Sequence, residues 1–153
     1  LPDDYFQIII LIDVLEHLYD PVKTLTRCYR LLKSNGVLVV KTPYWKMQHN
    51  KEVIKKLFRV GTGNIATLGH INQFDPCSIK LAFRKSGFDI IGIYPARSFL
   101  PGMKGAPFSL KRSLEYSVRA TFNGLVELLF RITSVNLSFN LLSLARKREL
   151  VKQ

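Results

Sequence analysis

Cysteine is scarce in this 153-residue chain: there are two, Cys28 and Cys77, far apart and without metal-ligand spacing. A disulfide framework is therefore not expected, and reduced thiols in the cytoplasm are. Long apolar runs are missing as well. The run Ile8–Ile12 has five residues, too few for a signal-peptide core or a membrane span. Acidic side chains are few, 11 against 23 Lys and Arg, leaving a net charge of +12. That excess invites a nucleic-acid or anionic-membrane partner. Yet no basic run is interleaved with aromatic residues, as a base-stacking platform requires. Lys23, Arg27 and Arg30 fall on one side of an expected helix, opposite Val22, Leu25, Tyr29 and Leu32, which is the pattern of a solvated helix face. Histidine is limited to His17, His49 and His70, and these are the natural candidates for a base near neutral pH. No repeat or low-complexity segment is evident. The composition, 47% hydrophobic and 22% charged, suits one globular domain.

What is present is organised around Phe6–Pro21, FQIIILIDVLEHLYDP. Its β-branched run lacks in/out alternation, which predicts a parallel strand buried on both faces. Polarity arrives with Asp13, Glu16 and His17, at the carboxyl end of the strand, where open parallel sheets bind ligands. Asp20-Pro21 predicts a helix start, carried to Lys33 and stopped by Asn35 or Gly36 in the left-handed conformation. Val37–Thr42 is a second buried strand, completing a right-handed βαβ unit. Lys51–Phe58 is a short amphipathic helix. Asp75-Pro76 opens another, ended near Lys85 by Gly87, and Phe88–Tyr94 is the third strand. Leu114–Ile132 carries a broad apolar face; Glu115 and Glu127 favour its packing on the sheet over a membrane surface. Leu137–Ala145 is read as a last strand. Gly61–Ala66 formally fits a G-x-G-x-x-A dinucleotide fingerprint, but a helix precedes it and a loop follows, so a hinge or lid is the better reading.

Several of these motifs, in this order, resemble class I S-adenosylmethionine-dependent methyltransferases. Phe6–Pro21 is similar to their fourth strand and the Leu-Glu-His-Leu…Asp-Pro loop after it, with Gln7 where Asp is usual. Leu32–Val40 is similar to the family's Leu-Lys-Pro-Gly-Gly turn into strand five. Gly69–Phe74, Ser78 and Ser86-Gly87-Phe88 continue the match, which is good over residues 1–95 and loose over 96–153. The resemblance implies the C-terminal half of a Rossmann-like, doubly wound α/β sheet, mostly parallel with a C-terminal antiparallel strand, within one methyltransferase domain. It implies S-adenosylmethionine as cofactor and methyl transfer to a small-molecule acceptor, expected to be a hydroxyl. The family's glycine-rich donor loop and ribose-binding acid have no counterpart here. The chain alone is thus expected to be an inactive part, with Gln7–Asp13 an open edge awaiting an N-terminal half or a partner chain. A silent methyltransferase-like partner subunit and an RNA methyltransferase are the alternatives.

The resemblance implies cofactor contacts at Ile12, Asp13, Val14 and Glu16. His70, in a loop before the Asp75 cap, is the expected acceptor-side base, with His17 the second candidate, nearer the donor. His49 is expected to sit in solvent at a helix start. Asp13, Glu16 and His17 could converge on a divalent metal only if their loop curls, and no metal is expected.

Overall fold

The segment after Phe6 forms the first strand of a four-stranded sheet in the computed structural model, which describes residues 1–57, 70–96, 110–134 and 136–148. In chain order the elements are β1 (Phe6–Ile12), a 3₁₀ turn (Leu15–His17), α1 (Pro21–Leu31), β2 (Leu32–Pro43), α2 (Trp45–Leu57), α3 (Pro76–Lys85), β3 (Phe88–Ala96), α4 (Leu110–Thr133) and β4 (Asn140–Lys147). The spatial order is β1-β2-β4-β3. β1 and β2 are parallel, and β4 runs antiparallel to both β2 and β3. The sheet is that of a partial Rossmann-like fold, with the last strand inserted between β2 and β3.

Both Asp-Pro starts form as expected. Asp20 accepts the Lys23 backbone N–H at 2.8 Å and Pro21 opens α1. Asp75 accepts from the N–H groups of Cys77 (3.0 Å) and Ser78 (2.8 Å), while Ser78 Oγ accepts the Asp75 N–H at 2.8 Å. This reciprocal box satisfies backbone donors that the first turn of α3 leaves over. α1 stops two residues early. Leu32 turns extended to join β2, and Asn35 takes the left-handed conformation (φ 61°) inside a bulge. Phe6 pairs with Leu32 but Ile8 with Val37, so the intervening residues loop out of register. Gly87 ends the α3 turn at φ 88° with Tyr29 against it, a place where a side chain would be strained.

α1 and α3 cover one face of the sheet. Leu25, Ile79 and Phe83 pack there on Leu38, Val40 and Ala145, all essentially buried. Complete burial of such side chains contributes about 1.5–3 kcal/mol each. Lys23, Arg27 and Arg30 are exposed, as the solvated-face reading requires, and the two arginines pair with Asp3.

The expectation that β1 is buried on both faces does not hold. Ile9 and Leu11 face the core, but Ile8, Ile10 and Ile12 on the opposite face are 57–59% exposed. β1 is an edge, paired among the described residues with β2 alone. α2 begins at Trp45, earlier than its apolar pattern suggested, which puts exposed His49 inside the helix beside the Trp45 ring rather than at its start. α4 packs less fully than its apolar face promised: Val126 is buried, whereas Val118, Leu125, Leu128 and Ile132 are exposed. β4 is shifted to residues 140–147, and β3 runs on through Pro95, tolerable because β3 is the other edge. Gly61–Ala66 and Phe58 lie outside the described residues. Among those described, no helix is long and apolar enough to cross a membrane.

Candidate functional site

At the carboxyl end of β1 the chain turns sharply. Asp13 adopts φ 52°, a conformation Asp tolerates better than most residues. Its carboxylate is held by Lys41 Nζ at 2.8 Å, and its N–H donates to the Lys41 carbonyl at 3.0 Å. The ends of β1 and β2 are thereby tied together. Ile12, exposed on the open face, precedes the turn, and half-buried Val14 leads into the 3₁₀ turn.

That turn carries Glu16 and His17 in opposite environments. Glu16 is 1% exposed and His17 is exposed. Burial raises the Glu16 carboxyl above its ordinary value, and Asp13 nearby adds to the rise. The Glu16 backbone N–H and the two imidazoles of His17 and His70 work the other way. That N–H lies close enough to favour the charged form without making a hydrogen bond of normal geometry. Neither carboxylate oxygen has a hydrogen-bond partner among the described residues. A buried acceptor left in this state costs about 1–3 kcal/mol, more when charged.

Residues 70–74 pass directly over the turn. The Glu16 carbonyl accepts the N–H groups of Ile71 (2.8 Å) and Asn72 (2.9 Å). Asn72 Nδ2 donates to the carbonyls of Leu15 (3.3 Å) and Leu18. At the far end, the Phe74 carbonyl accepts the Trp45 N–H at 3.1 Å and Asp75 begins α3. This clamp sets the rings of His17 and His70 4.9 Å apart, edge to face. One ligand atom each from Glu16, His17 and His70 lie within 4.8 Å of one another.

The structure thus gathers His70, His17 and Glu16, which the sequence had distributed between acceptor and donor sides. Asp13 belongs elsewhere, paired with Lys41, so the Asp13–Glu16–His17 trio is not the group that converges. His49 is not in the cluster. Asn72, the side chain that ties the two segments, had no sequence signal beyond its place in the Gly69–Phe74 motif.

A model of a methyltransferase domain family matches residues 2–92. No curated protein matches the chain. Among solved structures, a S-adenosylmethionine-dependent methyltransferase of Archaeoglobus fulgidus is 20% identical with a TM-score of 0.53, over 96% of this chain and 62% of its own. A Thermotoga maritima S-adenosylmethionine-dependent methyltransferase, described as a possible histamine N-methyltransferase, is 14% identical with a TM-score of 0.57, over 97% and 59%. The complex of the Haloferax volcanii Trm112 methyltransferase activator with a methyltransferase gives 15%, a TM-score of 0.56, and coverage of 99% and 57%. The chain therefore spans about 57–62% of the length of these structures.

Proposed function

The chain belongs to the methyltransferase domain family, and we propose that it forms the acceptor-side part of an enzyme that methylates a small-molecule hydroxyl from S-adenosylmethionine. The observation that carries the reading is the meeting of His17 and His70, from two separate segments, 4.9 Å apart at the carboxyl end of β1. Transfer from a sulfonium is an in-line displacement that asks the protein chiefly for alignment. A neutral hydroxyl gains nucleophilicity when a positioned base takes its proton. His70 is that base in this reading, with His17 beside it toward the donor. Ile12, Asp13, Val14 and Glu16 border the donor side, Asp13 held in place by Lys41.

The open edge of β1, with Ile8, Ile10 and Ile12 uncovered, is where a segment bearing the glycine-rich donor loop would complete the sheet. The same edge favours a second reading, a methyltransferase-like subunit that completes a partner. The Haloferax methyltransferase is itself described in a complex with an activator. Positive charge remains the only support for an RNA acceptor.

The test uses a protein that carries the donor-binding segment together with this chain. His70→Ala is expected to cut turnover by about 10²–10⁴-fold, the usual worth of a general base, with donor affinity little changed. His17→Ala is expected to weaken donor binding first. Turnover within a few-fold of the parent after His70→Ala would rule out the base assignment. Absence of donor binding in the assembled protein would favour the silent subunit.

A further inference from the structure

We propose that Glu16, His17 and His70 form a binding site for a divalent cation of the zinc class. Glu16 is the key observation. It is 1% exposed, yet both of its oxygens lack a hydrogen-bond partner among the described residues. A buried carboxylate is ordinarily neutralised by a cation or saturated with donors. Lys41, paired across from Ile12, is committed to Asp13 at 2.8 Å. What faces Glu16 instead is a pair of imidazoles, each offering a ring nitrogen within 4.8 Å of the carboxylate and of each other.

Two imidazoles and one carboxylate are a donor set that suits zinc and its first-row neighbours, and three protein ligands leave a coordination position open. Ligand atoms about 2.0–2.1 Å from a tetrahedral ion lie about 3.3 Å apart. The present separations, within 4.8 Å, must therefore close by up to about 1.5 Å, a distance on the scale of a side-chain adjustment at exposed His17. The other two ligands are already fixed. Glu16 is locked by burial, and the segment that carries His70 is clamped by the Asn72 and Ile71 hydrogen bonds to the 3₁₀ turn. Burial of the carboxylate and exposure of His17 give the cluster a closed floor and an entry path. The inference does not depend on methyl transfer. A bound ion would occupy the ring lone pair that His70 needs as a base, so the two states of the site are chemically distinct.

The experiment is titration of the purified, chelator-treated chain with Co²⁺, followed by displacement with Zn²⁺. A visible ligand-field spectrum that saturates at one ion per chain and is abolished by Zn²⁺ is expected. Outer-shell partners alone are worth about 10–100-fold in metal affinity, so Glu16→Gln, His17→Ala and His70→Ala should each weaken binding by about 100-fold or more. Circular dichroism checks that each variant is folded. If Glu16→Gln is not, the two histidine variants decide, since exposed His17 is the least disruptive to change. No saturable spectrum, equal affinity in the folded variants, or a thiolate charge-transfer band assigning the ion to exposed Cys77 would each overturn the proposal. Any of these results would leave the methyl-transfer reading intact.

Discussion

Replacing Asp75 by alanine tests whether the α3 cap holds the His70 segment. The carboxylate receives two backbone N–H bonds, from Cys77 at 3.0 Å and Ser78 at 2.8 Å, and pairs with Lys46 at 3.2 Å. Loss of such a cap costs about 1 kcal/mol, within a range of about 0.5–2. Lys46 is exposed, so this surface pair adds little. For a chain of this size the melting temperature should fall by about 2–4 °C per kcal/mol. Asp75→Asn keeps an acceptor oxygen and should recover most of the loss. The pH dependence supplies an independent check. Hydrogen bonds from the Ser78 backbone first, then Lys46 and the Ser78 hydroxyl, hold the Asp75 carboxyl below its ordinary value against a smaller opposing effect of burial. The unfolded chain therefore binds the proton more readily, and stability rises with pH in the window between the folded and unfolded values. The contribution is complete above the ordinary aspartate range, about 3.9, and is lost as pH falls through the depressed folded value. The gap between parent and Asp75→Ala should thus be full at neutral pH and narrow in acid. Thermal melts by circular dichroism over that range measure it. A gap independent of pH, or Asp75→Asn as damaging as Asp75→Ala, would refute the capping argument.

Asn72→Ala removes the donor that joins residues 70–74 to the carbonyls of Leu15 and Leu18. A loss of about 1–3 kcal/mol is expected, and the nuclear Overhauser contact between the His17 and His70 rings should vanish. Gly87→Ala forces a side chain into the left-handed region at φ 88° and to 3.3 Å from the Tyr29 ring. It should cost about 1–2 kcal/mol in chemical denaturation. Ile10→Lys places charge on the exposed edge strand, where Ile10 is 59% exposed. It should leave the melting temperature nearly unchanged while reducing self-association in sedimentation, because inserted lysine blunts edge pairing.

The element types and the Asp-Pro starts were legible because they rest on local chemistry: β-branched runs, caps and prolines act within a few residues. Burial was legible only in part. The run Ile8–Ile12 is apolar throughout, and that pattern alone cannot distinguish a strand covered on both sides from one whose second cover lies elsewhere. α2 was misplaced because Lys46, Gln48, His49 and Asn50 give its first turns no apolar stripe. The candidate residues Glu16, His17 and His70 were each visible, but their convergence was not. It depends on Asn72 and two backbone N–H groups reaching the Glu16 turn from 54 or more residues away. Sequence proximity suggested Asp13 as the third member of the group. A register pairing between Ile12 and Lys41, set by the β1–β2 bulge, gave Asp13 a different partner.

The position of β4 has a consequence for how the protein is made. Among the described residues β3 reaches the sheet through β4 alone, and β4 follows β3 in the chain with α4 between them. During synthesis β1, α1 and β2 can associate early, since their contacts are local. β3 and α3 then wait, with Phe83 and Phe88 lacking their strand neighbours, until β4 has emerged and slides between β2 and β3. Such delayed, long-range pairing is slow and leaves apolar surface exposed in the interval. Chaperone dependence should therefore be greatest for nascent chains that have passed β3 but not yet β4, and deletion of the last 15 residues should be more damaging than their small share of the core suggests.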